Sequence, residues 1–233
     1  MKLSVVIPFY NEENMIQKMY DELVKEINQI TKAEFEIIFI NDGSKDRTFE
    51  RMLAIAAGDS RVKYISFSRN FGKEAGTIAG LEYATGEAVI LMDGDLQHPP
   101  AMLPQMIEAY EQGYDVVSAR RTRTGEKRHR TFLAKHFYKL ANKMMDIELM
   151  DGVSEFRLFS RKVVNAIISM QEYNRFSKGI FAWIGFNEKV IEYENQVRTV
   201  GETKYSLKFS LNYAIQGILS FNDKPLRMCI NFG

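Results

Sequence analysis

This sequence lacks the features that announce several whole classes of protein. It holds one cysteine, Cys229, so no intrachain disulfide can form, and a reducing compartment is the expectation. Nowhere in the 233 residues is there a stretch approaching the roughly 18–20 apolar positions that a membrane-spanning helix needs. Leu3–Ile7 is too short for the apolar segment of a secretory leader and runs into Pro8 and two acids, Glu12 and Glu13. No G-x-G-x-x-G follows the first apolar run, which argues against a dinucleotide site, and no phosphate-binding P-loop is present. Neither sign of charge dominates, the formal net charge being +1. With 45% hydrophobic and 26% charged residues, the composition is that of a soluble globular protein. The length suits one large α/β domain, or a domain with a C-terminal extension.

The charge is unevenly spread. Between Ser118 and Lys139, eight lysines and arginines stand against the single acid Glu126. A nucleic-acid strand is one partner for such a run, but stacking aromatics are not interleaved with it, and Phe132 and Phe137 suit a helix core better. No nucleic-acid partner is therefore expected. For Arg120, Lys127, Arg128 and Lys135 a solvated basic face is an equally good account.

Short apolar runs alternate with helical spacing through the first half, the pattern of a parallel sheet with crossover helices. Strands are expected at Leu3–Ile7, Phe35–Ile40, Val62–Phe67, Val89–Met92 and Asp115–Ser118. Ile16, Met19, Tyr20, Leu23, Val24, Ile27 and Ile30 define a first helix with Asn11 or Asn14 as its cap. Further helices are expected at about 46–57, over Lys73–Thr85 with Gly86 closing it, and after Pro99-Pro100. Gly76 and Gly80, one turn apart, imply that something packs closely on the Lys73–Thr85 helix. The second half is less regular: a basic loop from Arg120 to Arg130, a helix near 132–145, a short strand at Phe156–Phe159, a helix over Val163–Met170, an aromatic-rich stretch from Arg175 to Phe186, and a strand at Lys189–Tyr193. Over 206–221, Leu207, Leu211, Ala214, Ile215, Ile218 and Leu219 form one helical face opposite Lys208, Asn212 and Gln216.

The most informative segment is Val89-Ile90-Leu91-Met92-Asp93-Gly94-Asp95-Leu96-Gln97-His98-Pro99. An apolar strand stops at two carboxylates one residue apart, and an unpaired carboxylate is too costly to bury. At the carboxyl end of a strand the pair can converge on one hard cation that keeps waters and takes phosphate oxygens as further ligands. An EF-hand is excluded, because its sixth position would be His98 and its twelfth Pro104. The alternative is an acidic turn capping the next helix. Ligands of open parallel sheets sit beyond the strands' carboxyl ends, and Asp42-Gly43, Asp93/Asp95 and Arg120–Arg123 all fall there, a set suited to a nucleotide diphosphate.

Ser4-Val5-Val6-Ile7-Pro8-Phe9-Tyr10-Asn11-Glu12-Glu13 resembles the opening of family-2 glycosyltransferases of GT-A fold, especially those acting on polyprenyl phosphates. The resemblance continues through Asn41-Asp42-Gly43-Ser44, Asn70-Phe71-Gly72-Lys73-Glu74-Ala75, Met92 to Pro100, Phe156-Arg157-Leu158, Arg175-Phe176-Ser177-Lys178-Gly179, Ala182-Trp183-Ile184-Gly185-Phe186 and Arg198 to Ser206. It thus spans essentially the whole chain and favours the metal over the capping turn. It implies a Rossmann-like GT-A domain over residues 1–205, with a mostly parallel sheet and flanking helices. Residues 206–233 would form amphipathic juxtamembrane helices, cut where a hydrophobic tail begins. The implied reaction moves a sugar from a nucleotide diphosphate, UDP-linked by analogy with bacterial relatives, to undecaprenyl or dolichyl phosphate, with inversion, at the cytoplasmic face of the cell membrane.

The same resemblance implies residue roles. Asp93, Asp95 and Gln97 would hold Mg²⁺ or Mn²⁺, with Asp95 and Glu155 as the catalytic pair. Pro8, Tyr10, Glu12, Asp42, Lys73, Asp93, Arg121, Arg198 and Lys204 would bind the nucleotide sugar. Arg123, Arg130 and Arg157 would bind the acceptor phosphate. Capping of turns and helices is the alternative for Tyr10, Glu12 and Asp42. The implied partners are the nucleotide sugar, the polyprenyl phosphate, a membrane surface and a second copy of the chain. Glu155 departs from the family, whose members usually carry Asp before Phe-Arg-Leu, and Asn41 replaces a common Asp. Two other readings stand beside this one: transfer to a saccharide hydroxyl, and a nucleotide-sugar-binding module without turnover.

Overall fold

The computed structural model describes residues 1–122, 152–172 and 175–193, with positions 142, 145, 147, 150, 217, 220–222 and 230. Arg123, Arg130, Arg198 and Lys204 lie outside the described residues, as do the helix expected near 132–145 and the amphipathic stretch 206–221 apart from single positions.

The apolar runs of the first half become strands β1 (Lys2–Phe9), β2 (Glu34–Asn41), β3 (Val62–Ser66), β4 (Ala88–Leu91) and β5 (Val116–Arg121). Helices α1 (Ile16–Ile27), α2 (Thr48–Gly58), α3 (Lys73–Tyr83) and α4 (Leu103–Glu111) connect them, a 3₁₀ turn at Pro100–Met102 preceding α4. Then come β6 (Val153–Ser160), α5 (Arg161–Ser169), α6 (Ser177–Trp183) and β7 (Glu188–Tyr193). The strands form one sheet in the order β3-β2-β1-β4-β6-β5-β7. Every pairing is parallel except those of β6, which runs against both β4 and β5. The sheet is thus mostly parallel, as the alternation of runs requires, with one strand inserted backwards.

Strand alternation divides the core into two layers. Leu3, Val5, Ile7 and Phe9 of β1 face α1, α2 and α4 together with Ile90, Met92, Phe156 and Leu158. Val6, Ile38, Ile40, Val89, Leu91 and Phe159 face the opposite way, against Leu81 of α3, Val163, Val164 and Ile167 of α5, and Ile180 and Phe181 of α6. The close approach expected on α3 is real: a Cβ on Gly80 would overlap the Val6 side chain, and one on Gly76 would lie 3.5 Å from both Ile40 and Pro8. Among the described residues no helix is long and apolar enough to cross a membrane.

Several expectations need correction. Neither Asn11 nor Asn14 caps α1; its N-cap is Met15, without a side-chain bond. Asn11 is instead held in left-handed backbone (φ 52°), and its Oδ1 accepts the Lys45 N–H at 2.8 Å. Gly86 does not close α3 as a left-handed cap. The helix ends at Tyr83 with Ala84 as its C-cap, and Gly86 is needed because any Cβ there would strike Ser4. The strand expected at Phe156–Phe159 is twice as long, and the aromatic stretch from Arg175 contains helix α6, whose two turns are too few to set up a clear amphipathic pattern.

Candidate active site

The register sets the rim. Phe9 pairs with Asn41, so β1 and β2 end together, while β4 ends at Leu91 opposite Val6, three residues short of them, and the residues after all three strands emerge at the same end of the sheet. Arg121 pairs with Tyr193 at the same end of β5 and β7. Because β6 runs backwards, its beginning lies at this end too. Leu91 pairs with Arg157, so Asp93, two residues beyond one, and Glu155, two residues before the other, approach across the β4–β6 pair.

Lys73 stands between them. It is the first residue of α3, where an ammonium opposes the helix dipole, and it is held there by charge of the opposite sign. Its Nζ contacts Asp93 Oδ1 and lies 2.5 Å from Glu155 Oε2. Burial alone would push the Lys73 pKa down, but Asp93 and Glu155 more than reverse this and hold it above its ordinary value. Burial likewise pushes the Asp93 carboxyl up, and the charges of Lys73, then His98 and Lys178, bring it well below the usual carboxylate range. An ammonium on Asp93 is a direct indication that this carboxylate attracts cations.

The loop that carries Asp95 is tightly built. Gly94 passes over the Phe9 ring, which leaves no room for a Cβ. Leu96 is in left-handed backbone (φ 59°), and the Gln97 N–H donates to Asp95 Oδ1 at 3.1 Å. Among the described residues, Leu96 and Asn11 are the two non-glycine positions with positive φ, and both flank the rim. Below the loop, His98 is buried, stacked on Phe156 with ring centroids 5.5 Å apart. Its Nδ1 accepts the Asp93 N–H at 3.4 Å and lies 3.7 Å from Asp93 Oδ2. Burial pushes the imidazole pKa down against the pull of Asp93. Tyr193 closes this side, its phenol pushed up by burial and further by Asp93 and Asp95.

Asp93, Asp95 and Gln97 are therefore on one short loop with oxygen donors only. Among the described residues no three His, Cys, Asp or Glu side chains gather into a closed metal cage. Two carboxylates and an amide suit an ion such as Mg²⁺ or Mn²⁺ that keeps waters and takes its remaining ligands from a phosphate. The donor set fits that group, and the Lys73 contact shows the pull on positive charge.

Asp42 follows β2 at this rim, but its carboxylate accepts the Phe71 N–H at 2.7 Å and the Gly72 N–H at 3.0 Å, and it is 3% exposed. The geometry here is the capping alternative, with burial pushing the carboxyl up against those two bonds. Tyr10 and Glu12 stay partly exposed beside it, on a loop laced to the next one. In that lacing Asn11 N–H donates to Ser44 at 3.0 Å and Glu12 N–H to Thr48 at 2.8 Å. Pro8 is partly exposed at the end of β1, and Arg121 at the end of β5. Arg157 is not brought to the rim's surface. It is buried, its Nη1 3.2 Å from Glu188 Oε1 and its guanidinium 5.1 Å from the Phe181 ring. An arginine set inside the apolar Phe156-Arg157-Leu158-Phe159 run was the signal for this burial. Sequence reasoning gave no role to His98, Glu74 or Lys178, although all three stand in motifs it quoted.

The glycosyl transferase family 2 model matches residues 4–168. A Bacillus subtilis strain 168 protein with the glycosyltransferase name CsbB is 50% identical over 231 residues, 99% of this chain and 70% of that one. An Escherichia coli K12 protein named as a prophage bactoprenol glucosyl transferase homolog is 43% identical over 234 residues, 100% of this chain and 76% of that one. Among solved structures, a Mycobacterium tuberculosis glucosyl-3-phosphoglycerate synthase, in complex with Mn²⁺ and UDP-glucose, superposes with a TM-score of 0.59. It is 20% identical, with 93% of this chain and 76% of that one covered, which shows the shared GT-A-like fold. With the paired carboxylates at the end of β4 and a family match over most of the sheet, this chain belongs to glycosyl transferase family 2 and is a glycosyltransferase.

Proposed function

We propose that the chain moves a sugar from a nucleotide diphosphate, UDP-linked, onto a polyprenyl phosphate at the cytoplasmic face of a membrane, in one inverting displacement. The observation that carries this reading is the state of Glu155. A saccharide hydroxyl must lose a proton as it attacks and needs a base, whereas a phosphate oxygen is already anionic at neutral pH. Glu155 holds Lys73 at 2.5 Å and so is equipped to place a cation rather than to take a proton. An acceptor that brings its own negative charge suits such a rim. The name of the 43% identical Escherichia coli protein, a bactoprenol glucosyl transferase homolog, supports the same acceptor class.

In this reading Asp93, Asp95 and Gln97 would hold Mg²⁺ or Mn²⁺, which when bound stabilises charge on the departing diphosphate. Pro8, Tyr10 and Glu12 line the nucleoside, and Asp42 fixes the wall behind it by holding the Phe71–Gly72 turn. Lys73 and Arg121 face the diphosphate, joined by Arg198 and Lys204, while Arg123 and Arg130 serve the acceptor. Residues 206–233 lie along the membrane surface and bring the rim to a lipid whose phosphate stays at the interface.

The test is transfer by the purified chain from a panel of nucleotide sugars, with Mn²⁺, to undecaprenyl phosphate and to soluble saccharides. A sugar-linked lipid is the expected product. Product on saccharides alone would establish the hydroxyl-acceptor reading instead. Donor binding without product on any acceptor would leave a binding module.

A further inference from the structure

Helix α6 brings one cation to the rim that has no assigned role. The Glu74 carboxylate, in the first turn of α3, accepts the Ser177 N–H at 3.3 Å and also the Ser177 hydroxyl. This pins the start of α6 beside Lys73 and Glu74. Lys178 is the next residue, one position from this contact and close to Lys73 with its partners Asp93 and Glu155. One turn further on, Phe181 lies over the guanidinium of Arg157, on the strand that carries Glu155. Lys178 is therefore held between α3 and β6, over the edge of the site where Asp93 and Glu155 meet.

Two neighbouring cations are committed. Lys73 bridges Asp93 and Glu155, and Arg157 is buried against Glu188. Lys178 is partly exposed and forms no ion pair among the described residues. The charge balance calls for such a group. A divalent ion and Lys73 together only offset the three carboxylates Asp93, Asp95 and Glu155, while a diphosphate and a phosphate entering the site add several more negative charges. In the sheet order β2 and β1 are followed by β4 with its acidic pair and then by β6, whose Arg157 guanidinium lies against Phe181 of α6, so α6 touches β6 as well as α3.

We propose that Lys178 binds the phosphate of the acceptor, in the role the sequence pattern assigned to Arg157; the inference rests on the acceptor class proposed above. The ammonium is a point charge on a flexible stem and can follow a phosphate monoester as it approaches the sugar.

The test compares the wild-type chain with Lys178→Gln and Lys178→Arg, using a water-soluble short-chain prenyl phosphate as acceptor and inorganic phosphate as a second arm. Donor affinity is measured by calorimetry with Mn²⁺, acceptor binding by calorimetry with UDP and Mn²⁺ present, and acceptor KM by turnover. Lys178→Gln is expected to raise the acceptor KM and dissociation constant about tenfold or more, the size of one lost charged contact. Donor affinity should stay within about twofold, and Lys178→Arg should restore most of the acceptor affinity. Competition by inorganic phosphate, weakened in Lys178→Gln, would show that the phosphate and not the prenyl chain is read. An unchanged acceptor constant, or donor and acceptor constants weakened alike with a lowered melting temperature, overturns the assignment. A wild-type chain that neither binds nor uses the prenyl phosphate brings down the proposed function and this inference together. A Lys178→Gln chain that uses it as well as the wild type does brings down the inference alone.

Discussion

Asp93 after β4, Lys73 at the start of α3 and Glu155 on β6 meet in one bridge at the rim. Asp95 lies next to this bridge on a loop at the rim rather than in the core, so Asp95→Asn should leave the melting temperature within about a degree or two, as surface changes do. The same substitution should abolish the Mn²⁺-dependent part of donor binding; calorimetry with and without Mn²⁺ checks it, and an undiminished metal effect would remove the metal assignment. Glu155→Gln keeps the shape but drops the charge that holds Lys73 at 2.5 Å. Turnover should fall while donor affinity changes little, because Lys73 keeps its contact with Asp93. Glu155→Asp shortens the side chain by one methylene, and the flexible Lys73 stem can follow, so turnover should hold or rise. Donor binding lost along with turnover in Glu155→Gln would place this residue on the diphosphate side instead.

At the scale of elements, α3 matters most, because its first residue is Lys73 and its small residues set its depth on the sheet. Gly80→Ala adds helix propensity worth about 1 kcal/mol but drives a methyl into Val6, and such overpacking costs about 1–3 kcal/mol. The melting temperature should fall, and Val6→Ala added to Gly80→Ala should recover part of the loss relative to the sum of the single changes. The glycine pair announced this packing in the sequence, just as the apolar runs announced β1 to β5 and the acids after Met92 announced the rim. The direction of β6 was not legible, since an apolar run has the same pattern in either sense. With that direction hidden, so was the meeting of Asp93 and Glu155, which depends on the β4–β6 register. Asp42 shows the converse limit. Its place after β2 was legible, but its bonds to Phe71 and Gly72 come from a segment 29 and 30 residues away in sequence, which no local pattern reveals.

At the scale of the whole molecule, the end of the sheet opposite the rim is held by one buried carboxylate. Glu36 of β2 accepts from Ser4 of β1 at 2.6 Å, from the Thr85 N–H and hydroxyl just before β4 at 2.6 and 2.8 Å, and from Lys63 of β3 at 2.6 Å. Lys2 adds its charge at 3.5 Å and bonds Thr85 as well. Four segments of the parallel half thus share one charge, and the register fixed at this end carries through to the rim at the other. Burial pushes the Glu36 carboxyl up, but the Lys63, Ser4 and Thr85 bonds outweigh it and bring the pKa down to about 2. Unfolded, the group returns to the ordinary glutamate range near 4.3, so the folded state favours the ionised form by about 3 kcal/mol. A depressed carboxylate stabilises fully above its unfolded pKa, and the contribution is lost as pH falls from about 5 toward 2. Glu36→Gln should therefore lower the melting temperature clearly at pH 7, and the gap from wild type should narrow steadily as the pH drops from about 5 to 3. Melting curves of the two proteins across that range decide it: a gap that stays constant with pH would mean that the network acts through packing rather than through the charge of Glu36.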